Sequence, residues 1–264
     1  MGIVLKSDAE LEKMWAANQV VCDVLDALEE TIAPGVTTGD LGRIAAELCD
    51  KAGATSAFLN YAPPQHPPFP SVLCASVNDV VVHGIPSDET RLESGDIISI
   101  DFGCSVDGYF GDSARTVAVG EISARARQLL DVTQEALERA IEQCVAGNRM
   151  SDLSGAIERY VEQQGFGIVR VFGGHGIGRK MHEDPPVPNY VAGGRNPRFK
   201  RGMVLAIEPM VNVGSADVKV DADQWTVRTK DGQLSAHFEH SVAILGDTPW
   251  VLSRRDSRRA VATA

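Results

Sequence analysis

No Cys-x-x-Cys pair occurs in this chain, and its five cysteines (Cys22, Cys49, Cys74, Cys104 and Cys144) are odd in number and widely spaced. That pattern offers neither a zinc knuckle nor a disulfide framework, and it fits a reducing, cytosolic compartment. Also missing is any run of about 18 apolar residues long enough to span a bilayer. The opening MGIVLKSDAELEKM lacks the charged-then-apolar order of a signal peptide. Met1-Gly2 suits a myristoyl acceptor, but Leu5 and the lack of a following basic cluster speak against one. Positive charge is scarce: 25 Lys and Arg against 36 Asp and Glu leave a net charge of −11. A nucleic-acid binder usually shows a basic face, so that class is disfavoured.

What is present is an ordinary globular composition, 44% apolar over 264 residues, enough for one large domain or two small ones. Ser7, with Glu10 three residues on, starts a helix that runs to about Thr31. A second helix begins near Thr38 or Asp40, runs to Lys51 and is ended by Gly53. FLNYAPPQHPPFP, from Phe58 to Pro70, is too rich in proline to be anything but an irregular loop. Taken by itself it reads as a stiff surface loop, with a PxxP docking peptide as the alternative. Ser71 to Val82 reads as paired strands around Asn78-Asp79.

The order then repeats. Helices are expected over Ser123–Cys144 and Asp152–Gln164, and strands over Ile168–Phe172, Met203–Asn212, Gln224–Thr229 and His237–Leu245. Gly35-x4-Asp40-Leu41-x11-Gly53 matches Gly147-x4-Asp152-Leu153-x11-Gly165 at an offset of 112 residues. That period is too long for a solenoid and implies two related α+β halves. Residues 1–250 are expected to form one domain, and 251–264, basic and polar, a frayed tail.

Between the halves lies IISIDFGCSVDGYFGDSARTVAVG, Ile97 to Gly120, with Asp107-Gly108 suited to a type I′ hairpin turn. Pairing Val106 with Tyr109 puts Asp101 opposite Ala114 and Asp112 opposite Gly103. The two aspartates then share a face as a diagonal pair, Cα atoms roughly 7–8 Å apart. Carboxylates aimed at one point need a proton, an Arg or metal ions between them. Alone, the pair fits ordinary surface carboxylates; the rest of the chain changes that. His175 sits among glycines in GGHGIG, and His182 follows in KMHEDP. Glu208 ends the apolar VLAI, where a carboxylate would be buried and in need of a partner. In AHFEHS, His237 and Glu239 share one strand face and His240 takes the other. Four carboxylates and one imidazole suit Mn, Fe, Co or Zn, and carry more charge than one ion balances, which favours two.

The set HGIP, IDFG, YFGDSARTV, GGHGIG, MHEDP, AIEPM and HFEHS resembles the methionine aminopeptidases, specifically the type I bacterial form, from about Ser7 to Trp250. The resemblance implies an α+β pita-bread fold, two pseudosymmetric halves around a curved antiparallel sheet. It implies two divalent ions (Co, Mn, Fe or Zn) on Asp101, Asp112, His175, Glu208 and Glu239, with Asp112 and Glu239 bridging. It further implies that Glu208 moves a proton, His182 stabilises the oxyanion and His83 contacts the scissile amide. The reaction implied is removal of the initiator methionine from nascent chains when the second residue is small. The implied setting is the cytoplasm, at the ribosome, for a monomer that reads no nucleic acid and touches no membrane. Phe58, Tyr61, Phe69, Cys74, Met181 and Trp225 are the implied walls of the methionine pocket. Phe58 stands where a cysteine is common, Phe69 where a tyrosine is common and Met181 where a phenylalanine is common, and the proline-rich loop is about five residues longer than the usual segment. A proline-specific peptidase of the same fold, prolidase or aminopeptidase P, and a non-catalytic binding relative are the alternatives.

Overall fold

A computed structural model describes residues 2–255. In chain order come α1 (Asp8–Thr31), α2 (Thr38–Lys51), β1 (Thr55–Ser56), β2 (Cys74–Val77), β3 (Val80–Val82), β4 (Ile97–Val106) and β5 (Tyr109–Ala118). Next are α3 (Ala124–Glu142), α4 (Met150–Gln163), β6 (Gly167–Ile168), β7 (Gly174–Gly176), β8 (Glu183–Val187), β9 (Val204–Ile207) and β10 (Met210–Asn212). The last are β11 (Val218–Val220), β12 (Val227–Thr229), β13 (Ser235–His237), β14 (Glu239–Ile244) and β15 (Pro249–Val251).

Helix starts follow their caps. The Glu10 carboxylate accepts the Ser7 N–H at 2.9 Å and the Ser7 hydroxyl at 2.8 Å, which holds the first turn of α1. The expected 112-residue repeat is a repeat of contacts. Gly35 donates its N–H to Leu92 O, and Gly147 to Phe199 O. Thr38 N–H reaches Thr90 O, and Met150 N–H reaches Pro197 O. Both leading glycines hold a positive φ, +96° and +101°, that only glycine adopts easily. Helix α4 starts at Met150, two residues ahead of the expected Asp152, because Arg149 takes the N-cap and the Asp152 carboxylate accepts its N–H at 2.7 Å.

A nine-stranded antiparallel sheet joins the halves in the order β1-β4-β5-β14-β9-β7-β8, with β2 added on β4 and β15 on β14. Two apolar layers back it. Val21, Leu25 and Leu28 of α1 meet Ile98, Ile100 and Phe102 of β4. Leu129 and Leu137 of α3 and Ile157 of α4 meet Leu205 and Ile207 of β9 and Val242 of β14. Two three-stranded sheets, β13-β10-β6 and β11-β12-β3, complete the described strands.

Several expectations need correction. β2 and β3 do not pair with each other: β2 pairs with β4, β3 with β12. The turn between them is tied elsewhere, Asn78 O accepting from Ser235 N–H and Asp79 O from Thr229 N–H. The strand expected over Ile168–Phe172 pairs with β10 only at its start, through Ile168 and the Val169 N–H, which donates to Met210 O at 3.1 Å. Met203–Asn212 is two strands, β9 and β10, because Pro209 has no N–H to keep one ladder going. Phe238 likewise separates β13 from β14. The boundary expected at residue 250 falls inside β15. Leu252 and Ser253 are buried, Arg254 pairs with Glu138, and Arg255 pairs with Asp23 and Asp26. The rest of the expected tail, 256–264, lies outside the described residues.

Candidate metal centre

The β4–β5 hairpin turns at Asp107-Gly108, both with positive φ, and its register sets Asp101 opposite Ala114 and Asp112 opposite Gly103, as the sequence predicts. Gly103 leaves the space Asp112 needs: a Cβ there would lie 2.9 Å from Asp112 Oδ1 and 3.1 Å from atoms of Met181 and Phe58. Glu208 stands in the break between β9 and β10, and Glu239 begins β14, directly after the break at Phe238. At these two points the chain passes between the large sheet and the β13-β10-β6 sheet. Strand β14 lies between β5 and β9, with Glu239 opposite Ala114 and His240 opposite Ile207.

These elements bring ligand atoms of Asp112, His175 and Glu239 within 4.8 Å of one another, all three residues buried. His175 Nδ1 lies 2.9 Å from Gly176 O. A carbonyl can only accept, so Nδ1 carries a hydrogen, and the neutral ring of that tautomer presents the Nε2 lone pair. That lone pair lies 3.9 Å from Asp112 Oδ2 and 3.9 Å from Glu208 Oε1. Acceptors facing acceptors without a donor need a cation between them. Asp101 Oδ1, Asp112 Oδ1 and Glu239 Oε1 are buried without a hydrogen-bond partner, a condition that a proton or a metal relieves. The donor set therefore fits a hard or borderline divalent ion. Without such an ion, burial and then the charges of Asp101 and Glu208 raise Asp112 well above the carboxylate range. Burial and then Asp112 do the same to Glu239. Asp101 rises to about 7, chiefly through burial.

Glu208 moves the other way. Burial pushes it up, but the imidazoles around it, His237 first and then His175 and His83, bring it below its usual value. His237 Nε2 lies 3.4 Å from Glu208 Oε2. The sequence set His237 on the same strand face as Glu239 but gave no reason to pair it with Glu208, because the break at Phe238 cannot be read from alternation. His240, on the other face, is removed from the site and bonds Ser253 Oγ through Nδ1 at 2.7 Å.

One cavity of about 310 Å³ holds all the expected site residues. Asp101, Asp112, His175, Glu208 and Glu239 line one part of it, His83 and His182 stand beside them, and Phe58, Tyr61, Phe69, Cys74, Met181 and Trp225 supply further wall. His83 has a backbone φ of +60° and packs edge-on against Phe172 and Trp225, at 5.7 and 6.0 Å between ring centres. Burial lowers its imidazole to about 4. His182 shows an edge to solvent at the mouth, yet the protein around its ring, with His175 at 4.3 Å between centres, lowers it to about 4 as well. Both imidazoles are thus neutral near pH 7 and can each donate one N–H. Phe172 and His66 also line the cavity, and the sequence assigned neither a role.

The family model of metallopeptidase family M24 matches residues 12–245. The chain belongs to metallopeptidase family M24. Among curated relatives, the methionine aminopeptidase of Clostridium acetobutylicum is 49% identical over 251 residues, 95% of this chain and 98% of that one. The crystal structure of methionine aminopeptidase from Thermotoga maritima superposes with a TM-score of 0.92 at 39% identity, over 96% of this chain and all of that one. Prolidase from Pyrococcus furiosus shares the fold alone: TM-score 0.77 and 22% identity, with 66% of its length covered. The fold is the pita-bread fold, an α+β arrangement of two pseudosymmetric halves around a curved antiparallel sheet, and this M24 member resembles the methionine aminopeptidases more closely than the prolidase. Divalent metal use follows from the family and from the buried cluster of Asp112, His175 and Glu239.

Proposed function

We propose that this M24 chain removes the initiator methionine from polypeptides whose second residue is small. One observation carries the reading: buried carboxylates and a lone-pair imidazole share a single cavity with a soft, aromatic wall. A thioether is apolar and polarisable, and Cys74, Met181, Phe69 and Trp225 match it. The acidic floor lies among buried residues, so a polypeptide enters by its end rather than passing through.

Asp101, Asp112, His175, Glu208 and Glu239 would hold two divalent ions, and four carboxylates need about that much positive charge. When bound, such ions supply a water of lowered pKa and a Lewis acid for the scissile carbonyl. Glu208 stays ionised beside His237, so it can take a proton and return it to the leaving amine. A neutral His182 donates a hydrogen bond to the carbonyl oxygen as charge develops there. His83, between Phe172 and Trp225, faces the amide of the second residue and assists the departing amine.

On this reading the partners are nascent polypeptide N-termini, met as they leave the ribosome, and the enzyme works as a cytoplasmic monomer. In support, no described helix is long and apolar enough to cross a membrane, and all five cysteines are free and buried. The deciding experiment is methionine release from Met-Ala-Ser and related Met-X-Ser peptides with Mn, Fe, Co and Zn in turn, against Gly-Pro peptides as control. Gly-Pro cleavage without methionine release would favour a proline-specific peptidase. Failure to retain any ion after dialysis against excess metal would favour a non-catalytic binder.

A further inference from the structure

A second cavity, about 450 Å³, shares His182 with the metal-binding one. The segment on either side of His182 forms one wall, through Arg179, Lys180, Glu183 and Asp184, and the N-terminal segment forms another through Val4 and Lys6. Several charges along it are paired within the wall. Glu183 accepts the N–H groups of Arg179 and Lys180, at 2.8 and 3.2 Å, and pairs with the buried Lys6 Nζ at 2.7 Å. The Arg179 guanidinium lies 4.7 Å above the Tyr109 ring and 3.9 Å from Glu10. Among its apolar side chains Val4, 52% exposed, stands open at the edge of the cavity. Two other cavities, on the side of the sheet where Arg115 and His240 lie, share no lining residue with the metal-binding one.

The geometry points to this second cavity as the binding site for the third to fifth residues of the polypeptide substrate, taken as an extended strand with apolar side chains against Val4. The inference rests on the proposed function. With the first side chain against Trp225 and the scissile carbonyl at His182, the chain must leave past His182. The proline-rich loop and the Gln224-Trp225 turn, bonded to each other, close the other rim. An extended residue rises about 3.3 Å, so three residues span about 10 Å, a length a cavity of this volume accommodates. Lys6 and Glu183, engaged with each other and with backbone N–H groups, give little purchase to charged side chains, and the open Val4 favours apolar ones.

The test compares kcat/KM for Met-Ala-Ser, Met-Ala-Ser-Gly-Gly-Gly and Met-Ala-Ser-Val-Leu-Val on the metal-loaded enzyme. The apolar hexapeptide should exceed the glycine hexapeptide by about tenfold, mostly through KM. In Val4→Asp that ratio should fall toward one, and in Val4→Ala it should fall part of the way. A ratio within one preparation is unaffected by the fraction of folded enzyme. Equal kcat/KM for the two hexapeptides, or a wild-type ratio in Val4→Asp, overturns the cavity's role while leaving methionine release standing. No methionine release from any of the three peptides overturns the function, and the cavity's role with it.

Discussion

Trp225 offers the sharpest test of how the side-chain pocket is built. Its indole N–H donates to Pro67 O at 3.0 Å, and its ring meets Phe69 edge-on at 5.2 Å between centres. The proline-rich loop is closed at its base by Asn60 N–H to Phe69 O and Phe69 N–H to Tyr61 O. At its tip it is held by Pro67 and by His66 Nδ1, which donates to Gln224 O at 3.3 Å. Gln65 and Gln224, at the two sides of this contact, both hold a positive φ, +71° and +67°. Conformations of that kind persist only where surrounding contacts impose them.

Replacing Trp225 with phenylalanine keeps most of the ring packing and removes the hydrogen bond. Such a bond contributes a net ~1 kcal/mol, equivalent to about a fivefold change in an equilibrium constant. We therefore expect KM for Met-Ala-Ser to rise about fivefold, kcat to change less than about twofold, and metal content to stay the same. Trp225→Ala is a poorer probe, because deleting a packed aromatic costs about 3–5 kcal/mol of stability. Shortening Pro63–Pro68 should move selectivity the same way as Trp225→Phe. Norleucine, equal to methionine in length and shape, should be accepted at the first position by the wild type. The assay is kcat/KM for Met-, norleucine- and Leu-Ala-Ser in the wild type and both variants, with metal content measured alongside. Unchanged ratios across the three substrates in both variants would refute the reasoning and leave the loop as surface structure.

Asp112→Ala and Glu239→Ala should each lose bound metal and turnover together; wild-type metal content and activity in either would rule out the proposed centre. His83→Ala and His182→Ala should lower kcat about 100-fold with metal retained, and loss of metal instead would make these histidines ligands. His237→Leu removes the imidazole 3.4 Å from Glu208 and should lower kcat more than KM; an unchanged kcat would show that Glu208 does not depend on that neighbour. Metal-free protein should be most stable near pH 6.5–7, and melts in chelator from about pH 5 to 9 would measure it. Toward acid, the unfolded chain protonates His83 and His240 at about 6.5 while burial holds them near 4 and 3 in the fold; Asp101 opposes this only up to about 7, and toward alkali stability falls because the buried Asp112 and Glu239 give up protons that the unfolded chain has already lost. A midpoint still rising at pH 9 would contradict this.

The hairpin register was readable because Asp107-Gly108 fixes the turn and one turn fixes every pair. The repeat was readable because both copies need glycine at the same backbone conformation. Strand breaks were not. The runs around Glu208 and Glu239 look like single strands, and nothing local shows that each serves two sheets. The C-terminal boundary failed for a related reason. Ser253 looks like the start of a polar tail, yet its hydroxyl bonds His240 and also accepts Ser241 N–H at 3.2 Å, contacts distant in sequence.

The two halves carry corresponding carboxylates in unlike surroundings. Gly95 N–H donates to Val119 O, and Gly202 N–H to Ile244 O, each at 2.9 Å. The return bonds, Val119 N–H to Asp96 O and Ile244 N–H to Met203 O, are also 2.9 Å. Six residues beyond these two glycines stand Asp101 and Glu208, so the backbone treats them alike. Their neighbours do not. Asp101 lies opposite Cys74 across the β2–β4 pair, and its Oδ1 finds no hydrogen-bond partner. Glu208 has the His237 imidazole 3.4 Å away, and the histidines around it lower its pKa. A buried acid without such neighbours is stabilised by a cation or by keeping its proton, whereas one beside imidazoles stays ionised and can exchange a proton. The symmetric scaffold thus fixes where the two carboxylates stand, and histidines present in only one half separate their chemistry. Placing an imidazole beside Asp101, for instance by Cys74→His, should erode that separation and lower proton-transfer efficiency even where metal still binds; unchanged kcat with an unchanged pH profile would sink the argument.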